Sequence, residues 1–98
     1  MPSLSDPRLL AVSSPSAVEK NGRALFGPRF VLFRSAQKTK KYAVRDPAGR
    51  LVNFGHIDYE DFTKHKSAAR RRNFLARNHK WRTAPPYSPA FLAYHLLW

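Results

Sequence analysis

The order of apolar and polar positions divides the chain into three stretches. From Phe30 the run Phe30-Val31-Leu32-Phe33 is aromatic, β-branched and aliphatic, which predicts a strand. Arg34 to Lys40 is a polar connection. Lys41 to Arg45 and Arg50 to Phe54 then alternate, with Tyr42 and Val44 on one face and Val52 and Phe54 on one face. Between them, Asp46-Pro47-Ala48-Gly49 has Asp first, Pro second and Gly fourth, the chemistry of a type I turn. The pattern predicts a hairpin that ends at Gly55.

Beyond Gly55 the pattern turns helical. Asp58, Glu60 and Asp61 stand where a short helix would start, since carboxylates favour a helix N-terminus. Ser67 is a good cap for a helix from Ala68 to about Asn78, with Phe74 and Leu75 as its main apolar residues. Trp81 to Tyr87, with Pro85 and Pro86, reads as a loop. Ser88-Pro89 pairs a cap with a proline at the first helical position, and Phe91, Leu92, His95 and Leu96 follow at helical spacing toward Trp98.

Before Phe30 the chain carries Pro2, Pro7, Pro15 and Pro28 among serines 3, 5, 13, 14 and 16. Proline removes backbone donors and steers its predecessor toward extended conformations, so an extended arm is expected here and helix is not. The expected fold is therefore α+β. Residues 29–98 form a small basic domain, a hairpin of two to three antiparallel strands followed by two to three short helices. Residues 1–28 form an N-terminal arm that gains order only on a partner. No internal repeat is present.

Composition narrows the function. The 98 residues suffice for one domain and exclude a dinucleotide-binding or TIM-barrel fold. A hydrophobic fraction of 43%, with 13% aromatic, separates the chain from a disordered basic tail. The absence of cysteine removes disulfides, thiolate metal sites and Cys nucleophiles together. No secretory leader is legible, the longest early apolar run being Leu9–Val12, and no run approaches the roughly 20 apolar residues of a membrane span.

Lys plus Arg is 18 and Asp plus Glu is 6, a net charge of +12 that calls for an anionic partner. The charge is located. No acid follows Asp61, and between Lys64 and Arg82 stand Lys64, Lys66, Arg70, Arg71, Arg72, Arg77, Lys80 and Arg82. These eight are the candidate polyanion-binding residues, because the planar arginine fork suits phosphate and the absence of mixed signs leaves a single-sign field. On a helix, Arg70, Phe74 and Arg77 share a stripe. Three consecutive arginines span about 200°, so at least one of Arg70, Arg71 and Arg72 must face the protein body or a second ligand. Phe74, Trp81 and Trp98 are expected in the core rather than at a binding surface.

Enzyme chemistry finds little support. His56, His65, His79 and His95 show no metal-ligand spacing, and the four glycines never cluster into a phosphate loop. His65 and His79 with Asn73 between them lack the spacing of a histidine–asparagine–histidine nuclease. Asp58, Glu60 and Asp61 read better as helix-start charges pairing with arginines than as a magnesium cluster. No cofactor and no small-molecule substrate are expected.

Five segments carry a resemblance by their order: Lys41-Tyr42-Ala43-Val44, Val52-Asn53-Phe54-Gly55, Asp61 to Lys66, Arg71 to His79, and Phe91 to Leu97-Trp98. Together they resemble a family of small basic proteins, functionally uncharacterised, that is common in large double-stranded DNA viruses. The resemblance implies a viral setting and supplies no catalytic residues. In that setting the expected role is a non-enzymatic minor capsid protein of the virion, bridging other capsid proteins through its arm and its basic patch. The alternative is a sequence-independent nucleic-acid-binding or genome-packaging protein. Viral DNA, an anionic membrane surface or an acidic protein would be the polyanion in either case.

Overall fold

Tyr42 and Phe54 face each other across the middle of a three-stranded antiparallel sheet in the computed structural model, which describes residues 3–98. The central strand β2 (Lys40–Arg45) lies between β1 (Phe33–Arg34) and β3 (Leu51–His56). Tyr42, Val44 and Phe54 are buried as expected, with Tyr42 opposite Phe54 and Val44 opposite Val52, but burial does not alternate along β2, where Lys41 and Ala43 on the other face are buried too. The turn closes through the Gly49 amide, which donates to the Asp46 carbonyl at 2.9 Å. The Asp46 carboxylate accepts from the amides of Ala48 and Arg50.

The strands differ in extent from expectation. The run Phe30–Phe33 gives only the first residue of β1, Phe33, because Phe30 is committed elsewhere: its ring packs on Gly22 and stacks on Phe26. Gly55 does not end β3. It takes a φ of 81° within the strand, and a side chain there would meet Leu97, which comes down onto it.

The α+β class holds, but the N-terminal segment is not an extended arm. Residues Pro7–Leu10 form α1 and Pro15–Phe26 form α2, a helix of 12 residues. The prolines that argued against helix begin the helices. At the first helical position the missing N–H is a donor that would lack a partner anyway. Asp6 and Ser14 cap these helices through their side chains, as Ser88 does at Pro89.

Leu9 and Val18 are fully buried in the same core as Tyr42, Phe54, Leu92 and Leu96. Asn21 donates from Nδ2 to the Leu96 carbonyl at 2.9 Å. The Cα radius of gyration is 12.5 Å, near the ~13 Å of a fully folded chain of this length, so residue 29 begins no separate body. Met1 and Pro2 lie outside the described residues.

The C-terminal half follows its capping signals. Asp61 caps α3 (Phe62–His65), Ser67 caps α4 (Ala68–Arg77), and Ser88 caps α5 (Pro89–Leu92). A 3₁₀ turn, His79–Thr83, stands in what read as the start of a loop, and a π turn, Ala93–Leu97, continues α5. That turn places Leu96 and Leu97 in the core. No helix among the described residues is long and apolar enough to cross a membrane.

Two polar devices bind the halves together. Arg34 donates from Nε to Asp6 at 3.2 Å and from Nη1 to the carbonyls of Lys40 and Lys41, tying the N-terminal segment to the sheet. In the interior, Tyr42 donates to Ser13 at 2.6 Å, Ser13 meets Thr63 at 3.2 Å, and the Thr63 hydroxyl donates to Asp61. These three buried hydroxyls are thus all satisfied, as burial requires.

Candidate anion-binding face

α4 is held to the body by one edge only. Phe74 and Leu75 are half-buried and no residue of the helix is buried. An amphipathic helix normally commits an apolar stripe to the core; this one leaves most of its surface to solvent. All eight basic residues predicted for the site, Lys64 and Lys66 at the end of α3, Arg70, Arg71, Arg72 and Arg77 on α4, and Lys80 and Arg82 on the 3₁₀ turn, are exposed.

The structure does not gather them into one cluster. Arg70 and Arg77, two helical turns apart, point into a groove of about 700 Å³ beside α4. Arg71, though exposed, is the arginine of the three that lies back along the protein body. Its Nε donates to the Trp98 carbonyl at 2.7 Å and its guanidinium lies 5.2 Å from the centre of the Phe62 ring. Lys64, Lys66, Arg72, Lys80 and Arg82 do not line the groove. Arg70 alone among the eight approaches a carboxylate, Glu60 at 3.6 Å, among the described residues.

The groove carries residues that the sequence did not single out. Lys40 enters from β2, and Tyr59 from the loop after β3. Neither neighbours the basic segment along the chain; the hairpin brings them there. Aromatic rings form much of the lining. Phe74 stacks on Trp98 with centroids 4.2 Å apart and planes 6° apart, and meets Trp81 edge-on at 5.9 Å. The expectation that Phe74 and Trp81 are core residues is corrected: Phe74 is half-buried outside the core and Trp81 is exposed, whereas Trp98 is half-buried and packs against the core, whose interior is occupied by Leu92, Leu96 and Leu97.

The three acids separate instead of converging. Asp58 pairs with Arg8 at 2.9 Å, Glu60 reaches Arg70, and Asp61 is buried against Lys41 at 3.0 Å. Only the first two meet arginines. No group of three or more potential metal ligands stands together among the described residues. Burial lowers the pKa of Lys41, opposed by the charge of Asp61, and burial raises that of Tyr42. His65 is also lowered, first by burial of its ring and then by the charge of Arg70.

A family model described as "Family of unknown function (DUF5754)" matches residues 30–78, half of the chain. The chain belongs to this family. The DUF5754 segment contains β1 to β3, α3 and α4, and with them Lys40, Tyr59, Arg70 and Arg77 of the groove. The helices α1 and α2 lie outside it, as do Trp81 and Trp98. No curated protein and no solved structure matches the chain.

Proposed function

We propose that this protein is a non-enzymatic nucleic-acid-binding protein that holds phosphate backbones without sequence preference, in the packaging or particle of a large double-stranded DNA virus. One observation supports this above the others: eight basic side chains from Lys64 to Arg82 are exposed, six of them on a helix and turn that bury nothing. The nearest acid in sequence, Asp61, is folded inward and neutralised by Lys41, so it does not offset the surface charge. Lysine and arginine on such a face displace counterions from a polyanion.

The test is titration of labelled DNA duplexes of unrelated sequence over about 50 to 200 mM salt. Equal affinities that fall steeply with salt are expected. Sequence preference, or binding that barely responds to salt, overturns the proposal.

The second reading is a minor capsid protein that bridges neighbours in the virion. As read from the sequence it leaned on an extended arm, which residues 3–28 do not supply. A different feature favours it. Val31 and Phe33, 57% and 40% exposed, flank the start of the edge strand β1 beside Phe26 and Tyr87. An exposed apolar sheet edge suits strand addition by a neighbouring protein. Copy number in purified particles tests this: a stoichiometric component that stays with the shell after DNA is removed supports bridging, and one that leaves with the DNA overturns it.

A further inference from the structure

We propose that the groove beside α4 takes an unpaired nucleotide, so that the protein prefers single-stranded nucleic acid to duplex. This rests on the phosphate-binding reading and adds a site for the base. The groove brings two chemistries together. Lys40, Arg70 and Arg77 supply positive charge, and neither Lys40 nor Arg77 has a carboxylate within reach among the described residues. Trp81, 37% exposed, and Tyr59, 67% exposed, supply aromatic surface within the same groove.

Large aromatic side chains left in water are what a soluble surface ordinarily avoids. Trp81 is moreover held in place, edge-on to Phe74, which is itself stacked flat on Trp98. A ring fixed by its neighbours loses little freedom when a base stacks on it. The volume of about 700 Å³ falls within the range of sites for small organic ligands.

Charge complementarity selects the occupant. An apolar peptide or an acyl chain would leave Lys40 and Arg77 without counter-charge, Arg70 being paired with Glu60 of the same lining, and a bare phosphate would leave the aromatic surface unused. A nucleotide in a single strand offers both an anionic backbone and a free π-face, the combination that sequence-independent single-strand binders exploit. A paired base keeps its faces stacked inside the duplex and cannot enter without being extruded, which costs energy. The exposed Arg72, Lys80 and Arg82 remain available to either form of nucleic acid.

The experiment compares a fluorescein-labelled oligo-dT of about 12 nucleotides with a duplex of equal length, at one salt concentration, on the full chain. Oligo-dT is expected to bind more tightly and to quench tryptophan emission. Trp81→Ala is expected to weaken oligo-dT binding by about tenfold, within the range of one stacked base, and to leave duplex affinity within about twofold. Arg72→Gln, outside the groove, should weaken both alike. If Trp81→Ala fails to fold, Tyr59→Ala gives the same readout from a more exposed side chain. Equal binding of both forms, with Trp81→Ala and Tyr59→Ala indifferent, overturns the groove and leaves the phosphate-binding reading intact. Failure to bind either form overturns both.

Discussion

Lys41 donates from Nζ to Asp61 at 3.0 Å with both side chains almost wholly out of solvent, 3% and 1% exposed. The pair ties β2 to the cap of α3. The second Asp61 oxygen accepts the Thr63 amide and hydroxyl, and through Thr63 and Ser13 the chain of donors runs back to Tyr42. Removing one partner strands a buried charge, which costs about 3–5 kcal/mol. Asp61→Asn is therefore expected to lose a large share of the ~5–15 kcal/mol typical of a domain. Lys41→Met with Asp61→Asn removes both charges and should recover much of that loss. Urea unfolding of the two variants checks this; equal stability of single and double variants would show that the stranded charge is not the cause.

His65 predicts an acid transition. Its Nδ1 accepts from the Ser67 amide at 2.9 Å, so the neutral ring carries its proton on Nε2, which is buried without a partner among the described residues. Burial, and then Arg70, hold its pKa below the ordinary 6.5. The unfolded chain thus binds the proton more readily. The stability from a neutral His65 is complete above about pH 6.5 and is lost as pH falls toward and through the folded value. The thermal midpoint should drop between about pH 7 and pH 5. His65→Asn keeps an acceptor for Ser67 without titrating, and should flatten that drop.

Gly22 has its place in α2 for a packing reason. A Cβ there would overlap the Phe30 ring, which is 8% exposed and stacked on Phe26 at 5.8 Å. In an open helix Gly→Ala is worth about 0.5–1 kcal/mol of stability. Here overpacking should win, and Gly22→Ala is expected to destabilise by about 1–3 kcal/mol. A smaller residue at 30 should relieve the overlap. Gly22→Ala measured in a Phe30→Leu background should therefore cost less than in the native chain; equal costs would place the effect elsewhere.

The N-terminal helices are integral to the fold. The Asp61 amide donates to the Val12 carbonyl at 3.1 Å, the Ser14 amide donates to Thr63 at 3.0 Å, and Leu9 and Val18 are fully buried. A fragment of residues 29–98 would open that interior to water and is expected to lose its cooperative thermal transition. In the full chain, limited proteolysis should spare residues 15–26. Rapid cleavage there, with a folded 29–98 product, would restore the extended-arm description.

Salt dependence apportions the basic face. Removing one phosphate-bound cation should lower the slope of log affinity against log salt by about one, uniformly across sequences. Arg72→Gln and Lys80→Gln are each expected to do so. Arg71→Gln should act differently: its Nε holds Trp98, so the substitution should lower stability as well as affinity. Thermal midpoints measured beside the binding curves separate the two effects.

Much of the fold was legible because its causes are local. Alternation fixed Tyr42, Val44 and Phe54 in the sheet, the Asp-Pro-Ala-Gly turn closed the hairpin, and Asp61, Ser67 and Ser88 began their helices. The same cap-and-proline chemistry marks Asp6-Pro7 and Ser14-Pro15, where the number of prolines and serines obscured it. The cap was a stronger signal than composition because it concerns one N–H group at one position.

The sequence by itself determined where the positive charge lies, from Lys64 to Arg82, and that the three consecutive arginines cannot all point one way, so that at least one faces the protein body or a second ligand. Only the tertiary structure decided that this arginine is Arg71, and that Lys40 and Tyr59 join Arg70 and Arg77 around an aromatic groove. It also decided that Phe74 and Trp81 stay out of the core and that Trp98 packs against its margin. The reason is physical. Caps, turns and alternation act over a few residues, whereas burial is a competition among all apolar side chains for one small interior. Leu9, Val18, Leu92, Leu96 and Leu97 fill that interior, and the aromatic residues of α4 and its neighbours are left at the surface beside the charge.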